Sequence, residues 1–445
     1  MSLLENDNMN NNTPKKEKKS ILQLDHIFAR KTDIFIIIAL LIFLIIPVIV
    51  SLVPKPEIKA KQITLLLSSN SLDLFGSELT EILLQEFNEN NPDIIIRYNE
   101  EDEAADILIF DDGGFNAYID AGALADLTVY YYHKEEIDES ENYQFDISAH
   151  EAVQFAIPLV SFMNMLFYNI DILTAVDFVN PPRTRSDFLS YARTVSRRNL
   201  PAADISGAAI GLNPEDRQSL SRDIFSWIWA AGGNFWSEGE RPAFNVRSMT
   251  NDLTFFGTLN REGLFAPEIF LRTGSQQIEE FANGKIAMMI ASTRVIPYLR
   301  KKMGDSAFGI TTIPDAGTGG RYNISLSSIH TGISADSLHP EEAWRFIEFI
   351  AGKSALLCAE LQAVPGSMFN LIPGDYVKDD PFYSKAWDIF EASGIIQGFS
   401  GKHDTEKYET VFLEELQKLF AGSQTAPQTA NAIQRRWNEI NTADD

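Results

Sequence analysis

The sequence predicts an α/β protein of two lobes behind a single N-terminal transmembrane helix, and three observations carry that prediction. A charge-free apolar run extends from Ile34 to Val53. Beyond a short linker at 54–61, apolar strand-like runs alternate with segments of helical spacing. Two turn-rich stretches, near Ile157-Pro158 and near Ile313-Pro314-Asp315, divide the chain so that it passes between two lobes more than once.

The apolar run comes first in the chain. At about 1.5 Å per residue it covers the roughly 30 Å hydrocarbon core of a bilayer. A soluble core helix is rarely apolar all round for so long, and a membrane helix tolerates the single Pro47. Lys15, Lys16, Lys18, Lys19, Arg30 and Lys31 precede the run, against Lys55, Lys59 and Lys61 after it. The positive-inside bias therefore puts the N-terminus in the cytoplasm. A cleaved signal peptide has a shorter apolar region and a small-x-small site, whereas this run leads into Pro54-Lys55-Pro56. Residues 1–33, polar and then lysine-rich, read as a disordered cytoplasmic tail.

Ile63 to Leu67 is a continuous apolar run suited to a buried parallel strand. Leu79, Ile82, Leu83 and Phe87 share a helical face, with Ser77 as candidate N-cap and Asn90-Asn91-Pro92 as the stop. Ile94 to Tyr98 and Asp106 to Phe110 are the next strands, opening a sheet whose ligands bind beyond the carboxyl ends of its strands. Further on, Phe188 to Val195, Ile224 to Ala231, Ile278 to Ala282 and Ala343 to Ile350 have helical spacing, while Ala287 to Ile290 and Phe308 to Thr312 read as strands.

A formal net charge of -25 makes nucleic acid an unsuitable partner. Cys358 stands alone, so an internal disulfide and a multi-cysteine zinc site are excluded. The six histidines form no metal-binding pair at helical spacing, Gly352-Lys353-Ser354 lacks the upstream glycine of a phosphate loop, and Gly332 to Asp336 lacks the second glycine of a nucleophile elbow. Neither cofactor nor metal is expected.

Several segments, in order, resemble the extracellular solute-binding proteins of ABC importers, in the cluster of maltose-binding-protein-like sugar binders. They are ELTEILLQEFNENNPDI, ADILIFDDGGFNAYIDAGALADLT, IPLVSFMNMLFYNIDIL, NPPRTRSDFLSYA, WIWAAGGNFW, FANGKIAMMIAS, and FGITTIPDAGTGG followed by HPEEAWRFIEFI. The resemblance runs from about Ile63 to the C-terminus. It implies the two-lobe periplasmic-binding-protein fold (type II-like), one lobe from 62–160 with 312–365 and the other from 161–311 with 366–445. It also implies a monomer that closes by a hinge over a sugar-like solute without chemistry and docks on ABC permease subunits. Together with the anchor it implies a single-pass protein of a bacterial cytoplasmic membrane, with its binding domain on the periplasmic or extracellular side. Two alternatives share parts of this pattern: a sensory receptor that signals instead of importing, and a glycan-active enzyme, which would need two carboxylates about 5 to 9.5 Å apart.

Carried over residue by residue, the resemblance places Asn70 and Ser71 where sugar binders put polar contacts, although Asn70 also suits an ordinary turn. Phe110 falls on a stacking aromatic, with a buried strand end as the plainer explanation. Asp111 to Gly114 match the loop whose carboxylate accepts sugar hydroxyls. The family's acid falls on Gly113, so Asp112 would substitute for it. Phe162 sits where the family has an acidic contact, and Arg222 and Arg294 replace two stacking aromatics. Two planar cations in the site would suit an anionic sugar, unless they pair with some of the 62 acids. Trp227 and Trp229 fit a helix core; Trp236 and Phe399 are the better candidates for stacking on a ligand.

Overall fold

The computed structural model describes residues 62–68, 70–99, 105–132, 149–150, 153–197, 204–216, 218–235, 246–315, 323–366, 379–396, 398–400 and 402–443, together with Phe35, Ile38 and Phe43. Those three are helical and exposed, and the rest of 34–53, like 1–33 and 54–61, lies outside the described residues. Among the described residues no helix is long and apolar enough to cross a membrane.

The body from Gln62 to Asp445 is built on one curled, nine-stranded sheet. Its strands are β1 (Ile63–Ser68), β2 (Ile94–Asn99), β3 (Ile107–Asp111), β6 (Ile157–Asn169), β7 (Met288–Ser292), β8 (Phe308–Thr311), β9 (Asn323–Ile333), β10 (Val364–Pro365) and β11 (Gly394–Ile396). A separate hairpin joins β4 (Ala149–His150) to β5 (Val153–Gln154). The first sheet segment runs β10-β6-β9-β3-β1-β2. β1 pairs in parallel with β2 and β3, as their continuous apolar runs require, and β9 returns antiparallel to β3 and β6.

β6 changes partners along its length. Up to Met163 it pairs with β9, and from Asn164 onward with β7 and β8. Two main cores form on either side of that exchange. Leu65, Leu67, Phe87, Ile107 and Phe346 build the first, with the edge-to-face pair Phe87 and Phe346 at 5.1 Å. Phe225, Phe235, Phe399, Phe412 and Trp437 build the second, and Trp437 Nε1 donates to the Tyr408 carbonyl at 3.0 Å. Burying such aromatics supplies most of the driving force in each lobe.

Local details depart from the sequence reading. The first long helix, Ser77–Asn90, is capped by Gly76 at φ 83 rather than by Ser77, because the tight entry needs a left-handed residue. Its buried face is Leu79, Thr80, Leu83, Leu84 and Phe87, which leaves Ile82 half exposed. Beyond β1 the chain forms a short helix, Asn70–Phe75, instead of an open loop. The helix expected at Ile224 to Ala231 starts earlier, as Gln218–Leu220, loosens into a π-helical turn at Ser221–Phe225 and resumes at Ser226–Ala230.

Candidate functional site

A cavity of about 280 Å³ lies where β6 and β9 cross, between the two cores. Its floor is polar but mostly uncharged, with Asn164 on β6 and Ser325, Ser327 and Ser328 on β9. Asn164 Nδ2 donates to Ser325 Oγ at 3.0 Å, Ser226 and Ser325 lie 2.9 Å apart, and Ser161 and Ser328 lie 2.8 Å apart. Buried hydroxyls are tolerable only when bonded, so this network fixes the floor in place. Sequence reasoning passed over these serines. Their signal is the hydroxyl run Ser325-Leu326-Ser327-Ser328 inside an otherwise apolar strand.

Phe162, Trp229 and Phe399 supply aromatic wall. Each is at most 4% exposed, so each serves the core and the cavity together. Trp227 and Trp229 both pack in the second core, as their helical spacing suggested. Arg294 lines the wall too, its guanidinium 5.6 Å from the Phe162 ring centre. One terminal nitrogen donates to the carbonyls of Asp73 at 3.2 Å and Leu74 at 3.0 Å, at the C-terminal end of the Asn70–Phe75 helix, where partial negative charge collects. Burial pulls the Arg294 guanidinium below its ordinary range, against the opposing pull of Asp111.

Arg222 stands differently. Carried on the π-helical turn, it donates Nε to Asp223 Oδ1 at 2.7 Å and Nη2 to Oδ2 at 3.1 Å, a two-pronged pair. Asp223 is fully buried and also accepts the Gly211 amide at 2.6 Å. Burial pushes the Asp223 carboxyl up, against the guanidinium and amide that draw it down. The Arg222 charge that motivated an anionic solute is therefore already met by its sequence neighbour.

The carboxylates point the same way. Asp111 caps the helix Asp112–Ala121 through its bond from the Gly114 amide, 2.9 Å, and accepts the Gln218 amide across the cleft. Asp112 accepts from the Ser328 amide at 3.1 Å, from His330 Nε2 at 2.9 Å and from Ser400 Oγ at 2.8 Å. Asp120, Glu406 and Glu409 line the cavity as well. The wall thus carries five carboxylates against Arg222 and Arg294.

Two expected contacts do not reach the cavity. Ser71 is fully buried and spends its hydroxyl on the Ser68 carbonyl at 2.9 Å. Phe110 is 1% exposed, its ring stacked near Phe115 and His330, with Tyr118 against its edge, so neither face is open to a ligand. Asn70 begins its short helix, and Trp236 lies outside the described residues. Gln218, Ser221 and Glu409 were not singled out by the sequence; the short helix Gln218–Leu220, the π-helical turn and the helix Thr405–Phe420 bring them to the cavity in that order. Among the described residues no cluster of His, Cys, Asp and Glu could hold a metal ion.

Two lobes on one curled sheet, crossed by long strands and parted by a polar cavity, define a two-lobe binding protein. The chain belongs to the bacterial extracellular solute-binding protein family, which it matches over residues 85–381. That makes it a binding protein and not an enzyme. Solved structures agree on the fold. The GacH receptor of Streptomyces glaucescens GLA.O, solved unliganded and with acarbose, is 14% identical, with TM-score 0.67 over 85% of this chain and 98% of that one. A solute-binding protein of Thermotoga lettingae TMO bound with alpha-D-tagatose is 16% identical, with TM-score 0.67 over 85% and 99%. The sugar-binding protein MalE of Xanthomonas citri is 15% identical, with TM-score 0.67 over 86% and 98%. No curated protein matches the chain in sequence.

Proposed function

We propose that the protein captures a neutral, polyhydroxylated solute of the sugar class in the interlobe cavity and delivers it unaltered to the permease subunits of an ABC importer. The observation that carries this reading is the cavity's composition. A bonded hydroxyl and amide floor, acceptor carboxylates and the rings of Phe162, Trp229 and Phe399 suit an array of hydroxyls on a C–H-rich ring. A neutral solute is favoured over an anionic one, because Arg222 is neutralised by Asp223 and the remaining wall is acidic. Of the residues expected at the site, Asp111, Asp112, Phe162, Arg222, Arg294 and Phe399 line the cavity.

The lobes in this reading are 62–160 with 312–365 and 161–311 with 366–445, swinging about the β6 and β9 crossing. Each lobe carries part of the wall, so a solute that touches both favours the closed form. The Ile34 to Val53 run tethers the monomer to the outer face of a bacterial cytoplasmic membrane and raises its effective concentration at the permease. A thermal-shift screen against neutral sugars, sugar acids and sugar phosphates tests the reading, since a solute at 1,000 times its Kd adds about 4 kcal/mol to stability. Neutral mono- or oligosaccharides are expected to raise Tm. Response to anionic sugars alone would overturn the charge argument, and silence across all of them would overturn the sugar class.

A further inference from the structure

We propose that the two lobes close on each other without solute, through a clasp on one face of the helix Asp112–Ala121. The proposal rests on the reading that the lobes open and close. Asp112, Asn116 and Asp120 recur at every fourth position and so lie along a single helix face. All three bond to one short segment of the other lobe. Ser400 Oγ donates to Asp112 Oδ1 at 2.8 Å, Asn116 Nδ2 to Thr405 Oγ1 at 3.2 Å, and His403 Nδ1 to Asp120 Oδ1 at 2.7 Å.

The two sides belong to different cores. Phe115 and Ile119, on the adjoining stripe of the helix, pack with Phe110 and Leu124, whereas Phe399 and Tyr408 flank the facing segment and pack with Phe225 and Trp437. Gly113 and Ala117, both on the cavity wall, keep the helix surface low beside the clasp. One jaw is set in advance, because the Ser328 amide and His330 Nε2 hold the Asp112 carboxylate from within its own lobe. Two further bridges reinforce it, Gln218 to Asp111 and Arg294 to the Asp73 and Leu74 carbonyls. Every one of these bonds runs from protein to protein, so their contribution does not depend on which solute is bound. A net hydrogen bond of ordinary strength changes an equilibrium by roughly 2- to 10-fold, so several together tilt the closed-to-open ratio strongly.

The test measures the distance between the lobes in the full chain, in detergent and without sugar. Spin labels at Glu81→Cys, on the helix Ser77–Asn90, and Asn438→Cys, on the helix Ala426–Ala443, report it; Cys358 is fully buried and escapes labelling. The short separation is expected to dominate. In Asn116→Ala/Asp120→Ala, which leaves the core-facing residues untouched, the closed-to-open ratio is expected to fall roughly tenfold or more. Exchanging the exposed pair as Asp120→His/His403→Asp is expected to restore the short separation. A single long separation in the unaltered chain, or identical distributions in it and the double variant, would overturn the proposal. Neither result depends on sugar binding, so the clasp and the solute reading can fail separately.

Discussion

Asp223→Ala offers the sharpest test of how the cavity wall is charged. Asp223 is fully buried and accepts both prongs of Arg222 and the Gly211 amide, while only 15% of the Arg222 side chain is exposed. The guanidinium has no room to swing toward Gly274, since even a methyl group there would come within 2.5 Å of its Nη1. Truncating Asp223 therefore strands a buried cation, a change that costs about 3–5 kcal/mol. For a body of this size the unfolding entropy is about 0.8 kcal/mol per kelvin, so Tm should drop by roughly 4–6 K in calorimetry. The double variant Arg222→Met/Asp223→Ala removes the charge along with its partner and should recover at least about 2 kcal/mol of that loss. Arg222→Met alone leaves the carboxyl buried without its cation. Its folded pKa then lies further above the unfolded one, the folded state binds more protons, and stability falls as pH rises from about 4 toward 7. A loss under about 1 kcal/mol for Asp223→Ala, or purely additive effects in the double variant, would refute the pairing argument.

Other outcomes concern single positions. Gly398 sits at φ +63, and a Cβ there would come 2.9 Å from the Trp229 ring, so Gly398→Ala should lose about 1–3 kcal/mol in urea unfolding and shift the tryptophan emission. Asp380 is buried enough to be pushed up, yet the Arg300 guanidinium and the amides of Tyr383 and Phe382 outweigh this and hold its carboxyl below the ordinary range. Its stabilisation is thus present above a pH of about 4 and lost as pH falls through the folded value; Asp380→Asn should be about 1–2 kcal/mol less stable at neutral pH, with a flatter acid profile. Phe162→Leu removes the ring beside Arg294 while keeping an apolar side chain, and should weaken sugar binding in calorimetric titration with less effect on folding than Phe162→Ala.

The parts of the fold that sequence made legible are those governed by short-range periodicity. The apolar runs of β1, β2 and β3 emerged as the parallel strands they suggest: β3 is buried along Ile107–Phe110, and β1 and β2 bury Leu65, Leu67, Ile94 and Ile96 against it and the first core. Trp227 and Trp229 followed their helical spacing into the core. What failed depended on tertiary geometry. Ser77 looks like a cap, but the entry angle demanded a glycine; Ile82 shares the spacing of Leu79 and Leu83, yet it stays half exposed. Phe110 is the sequence neighbour of the lining residue Asp111 yet packs into the core, and Ser71 turns its hydroxyl to the Ser68 carbonyl. That Arg222 pairs with an acid was an alternative the sequence offered, but not which acid, because adjacent residues on a regular helix do not face each other; here Asp223, its neighbour on the π-helical turn, holds it.

The position of the cavity is set by how β6 manages its hydrogen bonds. A strand running through both lobes must exchange its neighbours along the way, and here the pairing with β9 ends at Met163 while the pairing with β7 begins at Asn164. At such a break the regular ladder is interrupted, and side chains take over: the Met163 amide donates to Thr293 Oγ1 at 3.1 Å, and Asn164 reaches Ser325. Short polar side chains are what the exchange requires, and a bed of hydroxyls and amides is also what a polyol needs. The same residues thus meet the backbone's demand at the crossing and present the polar surface of the floor, which in the proposed reading ties solute contact directly to the strands about which the lobes turn. Replacing Ser325 by Ala, which removes only the hydroxyl oxygen and with it the bonds to Asn164 and Ser226, should therefore lower stability and sugar affinity together, by about 1–3 kcal/mol each for the orphaned buried groups. Chemical unfolding paired with titration reads both quantities, and loss of stability with affinity intact would separate the crossing from the solute floor.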